Sequence, residues 1–475
     1  MITVAINAET IVNYVYLLAA VLFIFGLKML ANINTAARGN LVSALGMLLA
    51  AGATLFLVTG GQLISLAWIG VALMVGTVIG LLLALKTSMT GMPQMVALLN
   101  GFGGIASLLV ACGDYLRTPS NQLDIKPGYV LLTTGLAVLI GGVTFTGSLV
   151  AFGKLQGLRI TPGRPVQFLG QKVMIALMVL ACTALSIYLI TDPSFGVALA
   201  IIAAVSLLLG ILLVIGIGGA DMPVVISLLN SYSGTAAAMA GFVLSNNVLI
   251  ITGSFVGASG IILTNIMCKA MNRSLTNVLF GGVGAPGKTK AGGESGAQGT
   301  ARELSVEDAA IQLDAAQLVI IAPGYGMAVS QAQHSVADLA EQLQNRGITV
   351  KYAIHPVAGR MPGHMNVLLA EANVPYEQLC DLETINPEFE QAGVALVIGA
   401  NDVTNPAARH AKDSPIYGMP ILDVDKARSV IVIKRSLNPG FAGIENELYF
   451  RPNCGMLFGD GKAMVNALVG ELKDS

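Results

Sequence analysis

Apolar residues run almost unbroken through the first 280 positions and then shrink to short, separated stretches. A bilayer core about 30 Å thick takes roughly 20 apolar residues per helix. Nine runs meet that length, near 11–30, 40–58, 63–85, 92–112, 129–152, 172–190, 195–217, 222–244 and 248–271. They predict a polytopic α-helical membrane domain over residues 1–280. Residues 281–301 (GGVGAPGKTKAGGESGAQGTA) are glycine-rich, nearly free of bulky apolar side chains, and predict a flexible linker. From 302 to 475 short apolar strands alternate with helical patterns, the mark of an α/β domain with a parallel sheet.

Charge sharpens the division. Residues 1–280 hold five acids and eleven Lys/Arg, whereas 281–475 hold twenty-two acids and fifteen Lys/Arg. The whole chain is only 11% charged, against roughly 25% in soluble domains. Nine membrane runs put the termini on opposite sides. Lys28, Arg38, Lys86, Lys154, Arg159, Arg164, Lys172, Lys269 and Arg273 fall on the side of the C-terminus, and only Arg117 and Lys126 on the other. The positive-inside bias therefore predicts a cytoplasmic C-terminal domain and a periplasmic N-terminus. The first charge is Glu9 and there is no basic leader, so no cleavable signal peptide is expected. The five cysteines lack metal or CxxC spacing and read as small buried hydrophobes, with no metal site expected.

Two membrane helices share a pattern. Met92-Pro93 is followed by Leu98-Leu99-Asn100, Met222-Pro223 by Leu228-Leu229-Asn230, and Gly104 falls level with Gly234. Proline in a first turn costs no hydrogen bond, and each Asn sits roughly 12 Å along its helix. This predicts an internal duplication of the kind transporters use. Asn100 and Asn230 should face the bundle interior. With Ser148 and Ser231-Tyr232-Ser233 they either line a polar path or bond helix to helix. Asp221 and Arg273 begin and end helices on the cytoplasmic side, as a structural latch or a coupling surface. All four histidines lie in the soluble half.

In that half, a strand over Gln317–Ala322 runs into Pro323-Gly324-Tyr325-Gly326-Met327-Ala328, and a helical pattern follows to Gln344. Strand, glycine turn and helix suit a dinucleotide pyrophosphate and a Rossmann-like fold. Val329 stands where a third glycine would complete the fingerprint. The next strand, Thr349–Ile354, ends at His355 with no acid for a ribose 2′-hydroxyl. Lys434-Arg435-Ser436 follow a later strand, Val430–Ile433, and suit a 2′-phosphate. That favours NADP(H), although a basic pair in a loop is often plain solvated surface. Other loops at strand ends are Val357-Ala358-Gly359-Arg360-Met361-Pro362, Gly399–Asn405 and Gly440–Gly443. Arg360 is a candidate for the pyrophosphate, and 439–446 reads as a mobile lid. No nucleophilic triad appears, and hydride transfer needs no catalytic side chain.

These residues carry a resemblance over essentially the full length. Val143–Lys154, Gly218–Leu229 with Asn230–Gly234, Met267–Ser274, Pro323–Val329, His355–Ala370, Val397–Asp402 and Lys434–Ser436 resemble the beta subunit of proton-translocating NAD(P) transhydrogenase. The resemblance implies the Re/Si-specific enzyme, active only with an alpha subunit. NADP(H) would sit on this chain and NAD(H) on the partner, with hydride passing from NADH to NADP⁺ as protons enter the cytoplasm. It implies a bacterial inner-membrane location, a dimer of alpha–beta units contacting lipid, and no nucleic acid. It also implies a cofactor site of Gly324, Tyr325, Gly326, Met327, Ala328, Val329, His355, Val357, Ala358, Gly359, Arg360, Met361, Pro362, Gly399, Ala400, Asn401, Asp402, Val403, Gly418, Met419, Lys434, Arg435, Ser436, Gly440, Phe441, Asp460 and Gly461. The proton and coupling residues would be Asn100, Ser148, Asn230, Asp221, Arg273 and Asp402. Some family members carry a membrane histidine, implicated in proton conduction, where this chain has Asn100. An amide does not titrate, so a histidine is expected in the partner's membrane segment. The competing readings are a nucleotide-gated transporter or channel with a sensing Rossmann domain, and an uncoupled subunit. No TVGYG-like filter is present.

Overall fold

The computed structural model describes residues 8–30, 33–58, 63–119, 123, 126–280, 300–361, 363–440 and 442–474. All but the last two residues of the expected linker lie outside that set. Nine long helices occupy the nine apolar runs: α1 (Ala8–Leu30), α2 (Ile33–Val58), α3 (Leu63–Lys86), α4 (Met92–Arg117), α5 (Gly128–Gln156), α6 (Gln171–Thr191), α7 (Gly196–Ile215), α8 (Met222–Val243) and α9 (Asn247–Ala270). Eight of them are long and apolar enough to cross a membrane, one fewer than expected. The exception is α8, whose Asn230-Ser231-Tyr232-Ser233 stretch lowers its hydropathy. No residue of α8 is exposed. A helix largely covered by protein has less surface that must be kept apolar.

The chain divides into two compact units. One comprises residues 1–149, 170–212 and 228–261, the other 150–169, 213–227 and 262–475. In the first unit the sequence repeat reappears as packing. Both α4 and α8 are entered through a three-residue 3₁₀ turn, Met89–Gly91 and Gly219–Asp221. A Cβ built on Gly104 would lie 2.7 Å from the Gly141 carbonyl oxygen, and one on Gly234 would lie 2.5 Å from the Gly257 nitrogen and 2.9 Å from the Gly253 carbonyl oxygen. Gly141 in turn packs on Leu108, and Gly253 on Ala238. The contacts 104–141, 108–141 and 101–148 of α4–α5 thus match 234–253, 238–253 and 231–260 of α8–α9, with a constant offset on each helix. Small residues let the backbones come this close, which is how helices associate without a hydrophobic driving force between them. The two pairs also meet at equivalent positions, because a Cβ on Gly103 would lie 2.4 Å from Ser233 Oγ. Asn100 and Asn230 each lie one turn earlier on the same helix faces. Asn100 is buried and Asn230 half-buried.

In the second unit, helix α10 (Leu275–Phe280) precedes an α/β domain. Helix α11 (Val306–Asp314) is capped by Ser305, whose hydroxyl accepts the Asp308 N–H at 3.0 Å. Six parallel strands follow: β1 (Leu318–Pro323), β2 (Thr349–Ile354), β3 (Leu379–Asp381), β4 (Val394–Ile398), β5 (Ser429–Lys434) and β6 (Cys454–Phe458). Their order is β3-β2-β1-β4-β5-β6. Each strand residue alternates between two cores. Val319, Ile321, Tyr352, Leu396 and Ile431 pack with helices α13 (Gln333–Asn345), α14 (His364–Glu371) and α17 (Gly461–Asp474) on one face. Ile320, Ala322, Val397 and Val432 pack with Phe389 and Tyr449 on the other. Burial on both faces is why these strands read as continuous apolar runs.

The single helix expected from the glycine turn to Gln344 is two. Helix α12 (Tyr325–Ser330) stops after six residues at Gln331, which adopts φ 50°, and α13 then begins anew. Left-handed backbone at a non-glycine residue leaves no trace in hydrophobic periodicity. Short helices α15 (Leu382–Ile385) and α16 (Ala407–His410) complete the domain.

Candidate functional site

The strand order reverses between β1 and β4, and a crevice opens there at the carboxyl ends of the strands, where open α/β sheets bind ligands. Three glycines build it. Gly324 N–H donates to Ile398 O and Gly326 N–H to Gly399 O, both at 2.9 Å. A Cβ on Gly324 would stand 2.4 Å from Ala400 Cα, and one on Gly326 would stand 2.5 Å from Gly399 Cα. Gly399 itself has φ 64°. The turn after β1 and the end of β4 therefore interlock backbone to backbone, which only glycine permits. Val329, at the third fingerprint position, is largely exposed and lines the crevice.

Above the crevice lies a cavity of about 800 Å³, within the roughly 300–1,000 Å³ of small-molecule and cofactor sites. Of the expected cofactor residues, Gly324, Tyr325, Gly326, Val329, Val357, Ala358, Gly359, Gly399, Ala400, Asn401, Asp402, Val403, Met419, Lys434, Arg435, Ser436, Gly440, Asp460 and Gly461 line it. So do Asp221 and Arg273 of the coupling set. Met327 and Ala328 are fully buried behind the turn. Pro362 and Phe441 lie outside the described residues. Asn100, Ser148 and Asn230 belong to the other compact unit. The sequence reading missed Met271, Ser330, Pro415, Ile416, Ile433, Asn438 and Gly459, while Pro439 and Ala442 fall within its expected lid. Ser330 could have been found as one turn after Gly326, and Asn438 as the lid's entry. Pro415 and Ile416 sit in a polar stretch that carries no motif.

Arg360 is not among the lining residues. Its guanidinium donates to the Leu155 carbonyl at 2.7 Å and stacks 4.4 Å over the Tyr325 ring. Its own N–H donates to His364 Nδ1 at 3.1 Å. Gly359, at φ 109°, lets that loop close on His364. His355 donates from Nε2 to Pro420 O at 2.8 Å and accepts the Val357 N–H on Nδ1. Burial lowers both histidines to about 4, with Arg360 adding to the effect at His364. Both values favour the neutral ring near pH 7.

The loop after β4 and the segment 438–446 hold each other. Asp402 Oδ2 accepts the Ala442 N–H at 3.0 Å, and a Cβ on Gly440 would lie 2.7 Å from Asp402 Oδ1. Asn446 donates to Asn401 O at 3.0 Å, and Asn405 donates to Glu445 O at 2.9 Å. Tyr449 Oη sits 2.9 Å from the Asn401 side chain. The expected lid is thus pinned along its C-terminal half.

At the end of β5 the two cations diverge. The Lys434 amine donates to Asn438 O and lies 5.1 Å over the Tyr449 ring. Burial lowers its pKa, and Asp402 opposes the shift. Arg435 is exposed on the cavity rim and makes no hydrogen bond or ion pair among the described residues. Ser436 accepts the Asn438 N–H at 3.4 Å. Asp460 accepts the N–H groups of Lys462 and Ala463, capping α17 beside Gly461. Gly418, at φ 75°, packs on Asn272, whose amide donates to Tyr417 O at 3.1 Å. On the same side Arg273 donates to Asp221 Oδ1 at 2.5 Å. Asp221 is fully buried and its Oδ2 has no partner among the described residues.

Comparison with known proteins gives one answer along nearly the whole chain. The family model described as NAD(P) transhydrogenase beta subunit matches residues 12–471. A relative named NAD(P) transhydrogenase subunit beta, from Rhodospirillum rubrum, is 49% identical over 458 residues, covering 96% of this chain and 97% of its own length. The protein of the same name from a named strain of that species matches with the same figures. With its apolar helices, its six-stranded parallel sheet and its glycine-built crevice, this chain belongs to the NAD(P) transhydrogenase beta subunit family.

Proposed function

We infer that this chain is the NADP(H)-binding, proton-conducting subunit of an NAD(P) transhydrogenase, with residues 1–280 as the membrane domain, 281–301 as linker and 302–475 as the cytoplasmic nucleotide domain. The observation that carries the reading is Arg435: a guanidinium with no hydrogen bond or ion pair among the described residues, on the rim of a cofactor-sized cavity, beside Ser436 and directly after a strand end. A planar fork of donors there suits a 2′-phosphate. Gly324, Gly326 and Gly399 line the same cavity, where a pyrophosphate would meet main chain. The nicotinamide supplies the hydride chemistry, and the chain positions it under the 439–446 lid.

NAD(H) sits on an alpha subunit, in a dimer of alpha–beta units in the bacterial inner membrane. Hydride passes from NADH to NADP⁺ as protons move into the cytoplasm. Asp221, Arg273 and Asp402 line one cavity, which supports a coupling role for them. Asn100, Ser148 and Asn230 are the candidates for ordering water along the proton path, with the titrating histidine on the partner.

The test is equilibrium binding of NADP(H) and NAD(H) to the purified intact chain, with Arg435→Ala beside it. Selective NADP(H) binding is expected, weakened in the variant by roughly 10- to 100-fold, as for a lost charged hydrogen bond of about 1.5–3 kcal/mol. NAD(H) binding should be unchanged. A preference for NAD(H) in the natural chain would overturn the assignment.

A further inference from the structure

The segment joining α5 to α6 plays no part in the nucleotide site, yet its chemistry is unusual. Between Asp124 and Asp192 the chain has no acidic residue. Within residues 157–169 both Arg159 and Arg164 are exposed and form no ion pair among the described residues. Interleaved with them are exposed Leu158, Ile160, Phe168 and Leu169. Ile160 is 88% exposed and Leu169 completely so. Large apolar side chains held in water beside unpaired guanidiniums fit neither a soluble surface nor a hydrocarbon core. They fit the boundary between the two, where phosphate and acyl chain lie a few ångströms apart.

Position and order agree with that boundary. The loop links two helices long and apolar enough to cross a membrane, so it lies where a crossing ends. It is also held in shape. Val166 N–H donates to Ile215 O at 3.1 Å, Gln167 donates to Gly216 O at 3.2 Å, and Gly163 O accepts the Gly219 N–H at 3.0 Å. A loop fixed in this way presents its arginines without further ordering cost. Those three ties end two residues before Asp221, which lines the nucleotide cavity.

We propose that the 157–169 loop is a binding surface for anionic phospholipid, its two arginines taking headgroup phosphates and its apolar side chains entering the acyl boundary. The test uses the intact chain in neutral detergent with fluorescent phosphatidylglycerol or phosphatidylcholine, and inorganic phosphate as competitor. Arg159→Gln with Arg164→Gln is expected to weaken phosphatidylglycerol binding by about 5-fold per arginine, the effect of one basic residue at an anionic surface, and to leave phosphatidylcholine unchanged. The double lysine variant should retain most of the binding. Leu169→Ser should weaken phosphatidylglycerol while leaving the salt dependence as it was. Equal affinity for the two lipids, no change in the glutamine variant, or displacement of lipid by millimolar phosphate would each overturn the proposal. So would protection of 157–169 from hydrogen exchange by a protein partner but not by phosphatidylglycerol.

Discussion

Helix pairs α4–α5 and α8–α9 pack in one register but solve one crossing point differently. In the first pair Gly101 faces Ser148, its ideal Cβ 3.1 Å from the serine's. In the second the residues are traded: Ser231 faces Gly260, whose Cβ would lie 2.8 Å from the serine's. What the fold fixes at this point is one small side chain shared by two backbones, not which helix supplies it. The trade has a polar consequence. Ser231 Oγ donates across to Gly257 O at 2.7 Å, whereas Ser148 Oγ is buried with no partner among the described residues. A buried hydroxyl costs free energy unless it is hydrogen-bonded. The first pair keeps one directly beside the residue that follows buried Asn100.

The hardest way to break this equivalence is at the shared glycines. Gly104→Leu and Gly234→Leu should both prevent folding, because each side chain would meet opposing backbone. Over-packing typically costs about 1–3 kcal/mol, and here the backbones themselves must separate. Thermal unfolding of the purified chain checks this, and tolerance of one variant but not the other would end the equivalence. A sharper test is the trade itself. Gly101→Ser alone should destabilise by roughly 1–3 kcal/mol. Adding Ser148→Gly, which copies the second pair, should recover most of that loss. A double-mutant cycle with no coupling energy would show that the two crossings are not interchangeable. The smallest effect separates the hydroxyls. Ser231→Ala should cost about 0.6 kcal/mol, the average for an interhelical hydrogen bond in a membrane. Ser148→Ala should be neutral or slightly stabilising, and an equal loss at both sites would mean that Ser148 is bonded after all.

The sequence showed the repeat only through Met-Pro, Leu-Leu-Asn and one paired Gly. The equivalence of position 141 to 253 and of 148 to 260 lay on helices whose sequences do not visibly align, since packing selects size at a few positions and leaves the rest to lipid. The α/β half was more legible. Strands buried on both faces announce themselves, and Thr349–Ile354 falls where it was expected. The glycine turn and Lys434–Ser436 likewise lie around one cavity. Arg360 did not follow, because its partners are a main-chain carbonyl distant in sequence and a neighbouring ring, neither of which local pattern encodes. The ninth membrane run differed for a related reason: α8 has no exposed residue, so polar side chains that lower its hydropathy are covered by other parts of the chain.

The break at Gln331 bears on how negative charge is met in the crevice. A helix offers an anion the summed dipoles of its peptide groups, equivalent to about half a positive charge at the N-terminus of a long helix. Here the helix starting at Tyr325 ends after six residues, and α13 begins anew at Gln333. The field at the glycine turn is correspondingly short in reach. A doubly charged group bound there must be neutralised mainly by side-chain cations and individual N–H groups. Affinity at this turn should therefore be more sensitive to ionic strength than in sheets whose first helix runs on unbroken.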